Sequence, residues 1–434
     1  MPPENPSPAG ALAAALAAFA ADKPQAAIAA IENAGAAAGG SLDARLLLAR
    51  CHARRGAFEK AEALFRETLR RRPGDAGRLV HMGFFYLDWQ RPAEALTAFR
   101  EAHAADPLSP GALAGLSLFA PAESGLDILP DIEAARAALG PDQEGRRTGL
   151  GFALARALDK AGHHQRAWET LIAANRAHRA AEGIAPRPAG GFPKGPPPGW
   201  EGVLGTDGAA EEGPRLVIVG GMPRAGKSTL ESLLAGRPRV KAGYETNLLR
   251  ECVDDLNAEI GVDLVPGLHA LPASYLPEFR RIFARKLAER AEGHAVYTLT
   301  APAPSLVLQI PVILRALPAT RLILVNREDL DTALRIFQFH YQQAGHGYAY
   351  FLSGIMGQIG LWRAAVRHWA AAEPGRCLAL DYEAVLDDPG AALGAIARFA
   401  GLPGPSAPPP ALPDDRGCAA PYRAMMEAAL QAGD

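Results

Sequence analysis

LVIVGGMPRAGKSTLESLL, residues 216–234, joins an apolar run, a glycine-bearing loop and a helical apolar pattern. Val217, Ile218 and Val219 are β-branched, which suits a buried parallel strand, while Leu230, Leu233 and Leu234 recur at helical spacing. Between them Gly221 and Gly226 let the backbone turn tightly, so that successive N–H groups and a helix N-terminus can face an anion. Arg224, Lys227, Ser228 and Thr229 add donors to this phosphate cradle.

Working outward, helical stretches are expected at 247–260 and 274–292, and strands at 295–299, 321–325 (RLILV) and 376–380 (RCLAL). This is the βαβ alternation of a parallel sheet with helices on both faces, whose ligands sit at the carboxyl ends of the strands. That rule brings residues 221–229, 326–331 and 381–383 to one edge. Residues 221–228 also satisfy GxxxxGK[ST], so a P-loop kinase or NTPase is one reading, with Asp381 as a candidate Mg²⁺ ligand.

The N-terminal part is periodic. Pro73 and Pro107 are 34 residues apart, as are Phe65 and Phe99, and Ala27, Ala61 and Ala95 share the period. The pattern resembles the tetratricopeptide repeat (TPR), a helix-turn-helix unit with a small residue in its second helix, an aromatic four later and a terminal proline. A later copy carries Ala155, Leu158, Gly162, Ala167, Leu171 and Ala174, and residues 110–141 break the pattern. Small residues mark close helix contacts and aromatics fill the space between; beyond that packing role, such an array offers a concave face for a protein or peptide partner.

Residues 1–180 are therefore read as helical repeats, 181–213 as a Pro/Gly-rich linker in which Trp200 is the one large apolar anchor, and 214–434 as the α/β domain. The fold class is a TPR-like α-solenoid followed by a parallel-sheet α/β domain. A net charge of −2 gives no global attraction to nucleic acid, and the apolar stretch at 10–21 is too short to span a bilayer. Cys51, Cys252, Cys377 and Cys418 lie too far apart in sequence for a zinc site or a disulfide scaffold, and the histidines lack ligand spacing. The expectation is a cytoplasmic protein with no metal.

The surroundings of the loop decide between nucleotides. GMPRAGKSTLESLLAGRPRVKAGYETN (221–247) resembles the opening of sulfotransferases, in particular the bacterial TPR sulfotransferases related to protein-tyrosine sulfotransferases. ILVNREDLDTAL (323–334), AGHGYAYFLSGI (344–355) and LDYEAVLDDPGAALGAIARFAGLP (380–403) continue the resemblance in order. With the repeats and the block at 151–179, it covers most of the chain.

The resemblance implies transfer of a sulfuryl group from 3'-phosphoadenylyl sulfate to a hydroxyl or amine, on an acceptor that the sequence leaves open. Pro223, Arg224, Ala225, Gly226, Lys227, Ser228 and Thr229 would hold the 5'-phosphosulfate, with Arg224 and Lys227 as cations. Glu245 falls where relatives carry the acceptor's base, although a glutamate there can also simply cap or pair near a helix start. Arg327 matches the family's 3'-phosphate arginine. Arg335, where relatives have serine, either supplies a second cation or pairs with Asp331 four residues earlier.

Two departures stand out. TAPAPSL (300–306) puts Pro302 where relatives have a lysine, which leaves Lys227 as the cation for the transferring group. The stretch after Pro403 is short and proline-rich, so a covering lid is expected to be reduced. A catalytically weakened sulfotransferase-like binding protein is the further alternative.

Overall fold

Small residues at a fixed period let helices pair closely, and the chain uses them that way. The computed structural model describes the chain except residues 1–6, 22, 36–38, 120, 196, 201–212, 342–344, 405–407, 410–411, 413 and 433–434. Its contacts divide into two compact units, Met1–His163 and His164–Asp434.

In the first unit, α1 (Pro8–Ala20) packs on α2 (Pro24–Asn33), α3 (Leu42–Arg54) on α4 (Phe58–Arg71), and α5 (Ala76–Asp88) on α6 (Pro92–Ala105). Ala27, Ala61 and Ala95 are fully buried, with Phe65 and Phe99 beside them in the core. Gly83 is a close-approach position, because a Cβ there would fall 2.5 Å from the Phe99 ring. Each pair also opens with a cap at the same period: Ser7, Ser41 and Asp75 accept from the N–H of Gly10, Ala44 and Arg78 at 3.1–3.2 Å. The regular pairs end where the sequence pattern breaks. α7 (Pro110–Leu116), α8 (Pro121–Ser124) and α9 (Leu129–Ala138) are short, and α10 (Glu144–Lys160) closes the unit.

The second unit begins with α11 (His164–Glu182), so the division falls before this helix, whereas the sequence reading ended the repeats at 180. The reason is packing: Trp168 stacks 5.9 Å from Phe337, and Asn175 Nδ2 donates to the Phe337 carbonyl at 3.3 Å. Phe192 and Lys194 then lie on the same unit, the Phe192 ring 5.7 Å from that of His368 and the Lys194 carbonyl 3.2 Å from His368 Nε2. Trp200 is buried and its Nε1 donates to the Leu271 carbonyl at 3.0 Å, which makes it the anchor expected of it. The rest of the expected linker, 201–212, lies outside the described residues.

The sheet is wholly parallel, in the order β2-β3-β1-β4-β5, with β1 Arg215–Gly221, β2 Val240–Ala242, β3 Val296–Pro302, β4 Arg321–Asn326 and β5 Cys377–Asp381. β1 is central and almost entirely buried, as its β-branched run requires. Register aligns the carboxyl ends: Gly221 lies beside Pro302 on one side and Val325 on the other, and Asn326 lies beside Asp381. The helices around the sheet are α12 (Lys227–Ala235), α13 (Leu248–Ile260), α14 (Leu276–Ala291), α15 (Ala303–Ala316), α16 (Asp329–Phe337), α17 (Leu352–Ala372), α18 (Tyr382–Asp387), α19 (Pro389–Ala400) and α20 (Arg423–Ala432). Among the described residues, no helix is long and apolar enough to cross a membrane.

Candidate functional site

The loop after β1 gets its shape from two left-handed residues, Arg224 (φ 65°) and Gly226 (φ 86°). Only glycine serves at 226, since a Cβ there would enter the Tyr382 ring. Gly226 is also the N-cap of α12 and offers no side-chain acceptor, so the first-turn N–H groups remain the positive end of that helix. Ser228 and Thr229 lie half-buried on this turn, and Thr229 hydrogen-bonds the Tyr382 hydroxyl.

Lys227 is only 4% exposed. Its Nζ donates to the Met222 carbonyl at 3.1 Å and lies 3.8 Å from Glu245 Oε1. Burial lowers the pKa of the Lys227 ammonium, with the Glu245 carboxylate opposing and Arg224 adding to the effect. Glu245 keeps its side chain largely in solvent, so the pair joins a buried cation to an accessible carboxylate. Arg224 is exposed, with its guanidinium 4.1 Å from the centre of the Phe339 ring. Tyr341 stands next to Arg224 and Glu245, its phenol pushed up to about 12 by burial.

Glu231, one turn beyond Lys227, is completely buried. Its Oε1 accepts from Thr298 Oγ1 at 2.7 Å, from Tyr244 N–H at 3.0 Å and from Gly243 N–H at 3.1 Å, the last shared with the Thr298 carbonyl. Burial raises this carboxyl to about 7, with the three donors opposing and the Glu245 charge reinforcing the rise.

On the other side of the loop, Arg327 follows β4. Its Nη1 donates to the Arg224 carbonyl at 3.1 Å, and its Nη2 lies 3.0 Å from Asp415 Oδ1. Burial works against this charge, but Asp415, together with Cys418 and Asp331, holds the guanidinium above its ordinary pKa. Arg335 Nη2 reaches the other carboxylate oxygen of Asp415 at 3.7 Å. Asp331 is occupied elsewhere: its carboxylate accepts from Gly417 and Ala419 N–H, both at 2.8 Å, and from Cys418 Sγ at 3.4 Å. Arg335 thus converges with Arg327 on Asp415, and among the described residues neither buried Nε has a hydrogen-bond partner. Arg363 fixes this corner by donating to Asp329 Oδ1 at 2.6 Å and to the Arg327 carbonyl at 3.0 Å.

All ten residues singled out in the sequence therefore lie on the carboxyl edge of the sheet or on α12 and α16 beside it. Pro302 ends β3 next to Gly221, so that neighbouring strand end brings no cation. Asp381 ends the edge strand β5, two strands away from β1. Among the described residues, no group of three or more His, Cys, Asp or Glu is placed to share a metal ion. Three participants escaped the sequence reading. Glu231 had a signal, a carboxylate next to Leu230 and one turn from Lys227 inside the quoted stretch. Tyr382 had one as well, since it lies within 381–383, which the strand-end rule brings to this edge, whereas Asp415 had none, because its role depends on long-range packing.

Residues 214–406 match the sequence model described as the sulfotransferase family, and residues 18–80 match that of a tetratricopeptide repeat. An uncharacterized protein of Aquifex aeolicus is 25% identical over 289 residues, covering 59% of this chain and 35% of its own length. The chain thus spans about a third of that curated relative. Among solved structures, a point mutant of the Thermobaculum terrenum O-GlcNAc transferase aligns at 18% identity over 74% of this chain and 54% of its own, with a TM-score of 0.26. A sulfotransferase from Mycobacterium tuberculosis aligns at 15% identity over 67% of this chain and 88% of its own, with a TM-score of 0.28.

Proposed function

Taking a sulfotransferase-family domain at 214–406 and tetratricopeptide repeats at 18–80 as the premise, we propose that the chain transfers a sulfuryl group from 3'-phosphoadenylyl sulfate to a hydroxyl or amine acceptor. The observation that carries this reading is that the donor-rich loop Arg224–Thr229 and the cations Arg327 and Arg335 lie side by side, with the Glu245 carboxylate 3.8 Å from Lys227. The donor's two anionic groups need two anion-binding corners. The helix end uncapped by any side chain at Gly226 suits the 5'-phosphosulfate, and the partnerless Nε atoms of Arg327 and Arg335 suit the 3'-phosphate.

In this mechanism the acceptor oxygen or nitrogen attacks sulfur and forms the new bond as the bond from sulfur to the bridging phosphate oxygen breaks. Glu245 takes the acceptor's proton, and Lys227 balances the charge that develops on the departing phosphate. With Pro302 at the neighbouring strand end, Lys227 carries this task without help from β3. The tetratricopeptide repeats would recruit a protein or peptide partner, the kind of ligand such arrays generally hold.

Asp415 shares the anion corner with the arginines, so nucleotide must displace it. Adenosine 3',5'-bisphosphate is expected to raise the melting temperature of the wild type. Arg327→Ala should weaken that binding at least tenfold, because it removes a buried charge-assisted contact, whereas Asp415→Asn should strengthen it. Thermal shift and calorimetric titration check both signs. No shift in the wild type, or an Arg327→Ala variant that binds normally, would remove the reading. Nucleotide binding with no transfer to any acceptor would favour a binding protein, for which the cation-free end of β3 is the structural motive.

A further inference from the structure

The proposed base lies on a loop between β2 and α13, while the proposed phosphate cation lies on α12. Separate elements of this kind keep a 3.8 Å separation only if something ties them together. Glu231 is on α12, one helical turn from Lys227 and on its buried side, and its Oε1 gathers Tyr244 N–H, Gly243 N–H and Thr298 Oγ1. Tyr244 immediately precedes Glu245 and has a left-handed backbone, φ 52°, which costs free energy unless neighbouring contacts impose it. Those contacts are present: Thr300 N–H donates to the Tyr244 carbonyl at 3.0 Å, and Ser232, also on α12, lies 3.3 Å from the Tyr244 hydroxyl.

We propose that Glu231 is a positioning residue that ties the Gly243–Tyr244 backbone to α12 and so sets the Glu245 carboxylate against Lys227. The proposal rests on the sulfotransferase reading for its catalytic consequence but not for the tether itself. A carboxylate suits the task because one oxygen can accept from several donors on different elements. An apolar side chain of similar size would fill the space and take this acceptor from the part-buried Tyr244 N–H and the buried Gly243 N–H.

Lys227, Glu245, Tyr244 and Tyr297 are the titratable groups whose charges couple to Glu231. Its folded pKa of about 7 lies above the ordinary 4.5, so the folded state holds the proton more tightly than the unfolded chain. That contribution to stability is complete below pH 4.5 and is lost as pH rises through about 7.

The test compares Glu231→Leu, Glu231→Gln and wild type in the full chain by amide exchange at Tyr244, nucleotide thermal shift and steady-state transfer. Glu231→Leu is expected to exchange the Tyr244 amide at least tenfold faster and to lose about 10²-fold in kcat, with nucleotide affinity within about threefold of wild type. Glu231→Gln keeps an acceptor oxygen, so it should restore slow exchange and most of kcat. It should also flatten the loss of melting temperature between pH 4.5 and 7. Unchanged Tyr244 exchange in Glu231→Leu overturns the tether, as does a kcat loss that Glu231→Gln fails to restore. Should Glu231→Leu not fold, Thr298→Val removes one of the bonds to Oε1 and is judged by the same exchange criterion. Wild type that binds no nucleotide and transfers nothing counts against the sulfotransferase reading alone, while the Tyr244 exchange still decides the tether.

Discussion

Glu245→Gln should lower sulfuryl transfer by about 10²–10⁴-fold, the range for loss of a general base, while nucleotide stabilisation stays at the wild-type level. The two readouts separate because Glu245 belongs to neither anion corner. Its side chain is largely exposed, lies 3.8 Å from Lys227, and is free to meet an incoming acceptor. Gln keeps the shape and one acceptor oxygen but cannot take a proton. Single-turnover transfer with saturating donor is the decisive measurement. A variant that turns over normally would reduce Glu245 to a counter-ion for Lys227. A variant that loses nucleotide binding as well would place it in the donor site.

Lys227→Met should cost about 10²–10³-fold in transfer, the size typical of one missing electrostatic donor at a developing negative charge. The full effect is expected here because the neighbouring strand end offers no second cation: β3 ends in Pro302 directly beside Gly221. Met matches the length of the lysine stem, which packs beside Gly221 with Cγ 3.2 Å from where a Cβ on that glycine would lie. The fold should therefore survive. Because burial already disfavours the Lys227 charge, methionine removes an unfavourable desolvation, and the melting temperature should hold or rise as transfer falls. Loss of both together would show that the lysine serves the fold.

Much of the fold is legible in the sequence. The strand-loop-helix at 216–234 became β1, its loop and α12, and the apolar runs at 321–325 and 376–380 became β4 and β5 within a residue or two at each end. The repeat period gave the helix pairs, and Ser7, Ser41 and Asp75 could have been added to it as caps. β2 was not legible because three residues at a sheet edge carry no periodicity. The partner of Arg335 could not be read either. Local spacing offered Asp331, but that carboxylate is taken by backbone N–H groups 86 and 88 residues away. Beyond Pro403, where a reduced lid was the expectation, residues 415–419 meet Arg327, Arg335 and Asp331. Neither contact leaves a local pattern.

The stretch that evolution passes on as a recognisable block and the stretch that can stand as a folded body differ in this chain. The block ends at 406, yet the donors to the Asp331 carboxylate come from 417–419, and α11 and Trp200 precede residue 214. A fragment cut at 214 and 406 would strand a carboxylate that is 3% exposed without its acceptor-to-donor bonds, a loss of about 1–3 kcal/mol or more. It would also uncover the Phe337 face on which Trp168 lies. Such a fragment should melt well below one spanning 164–434, and differential scanning calorimetry of the two would locate the true margins of the heritable block's physical support.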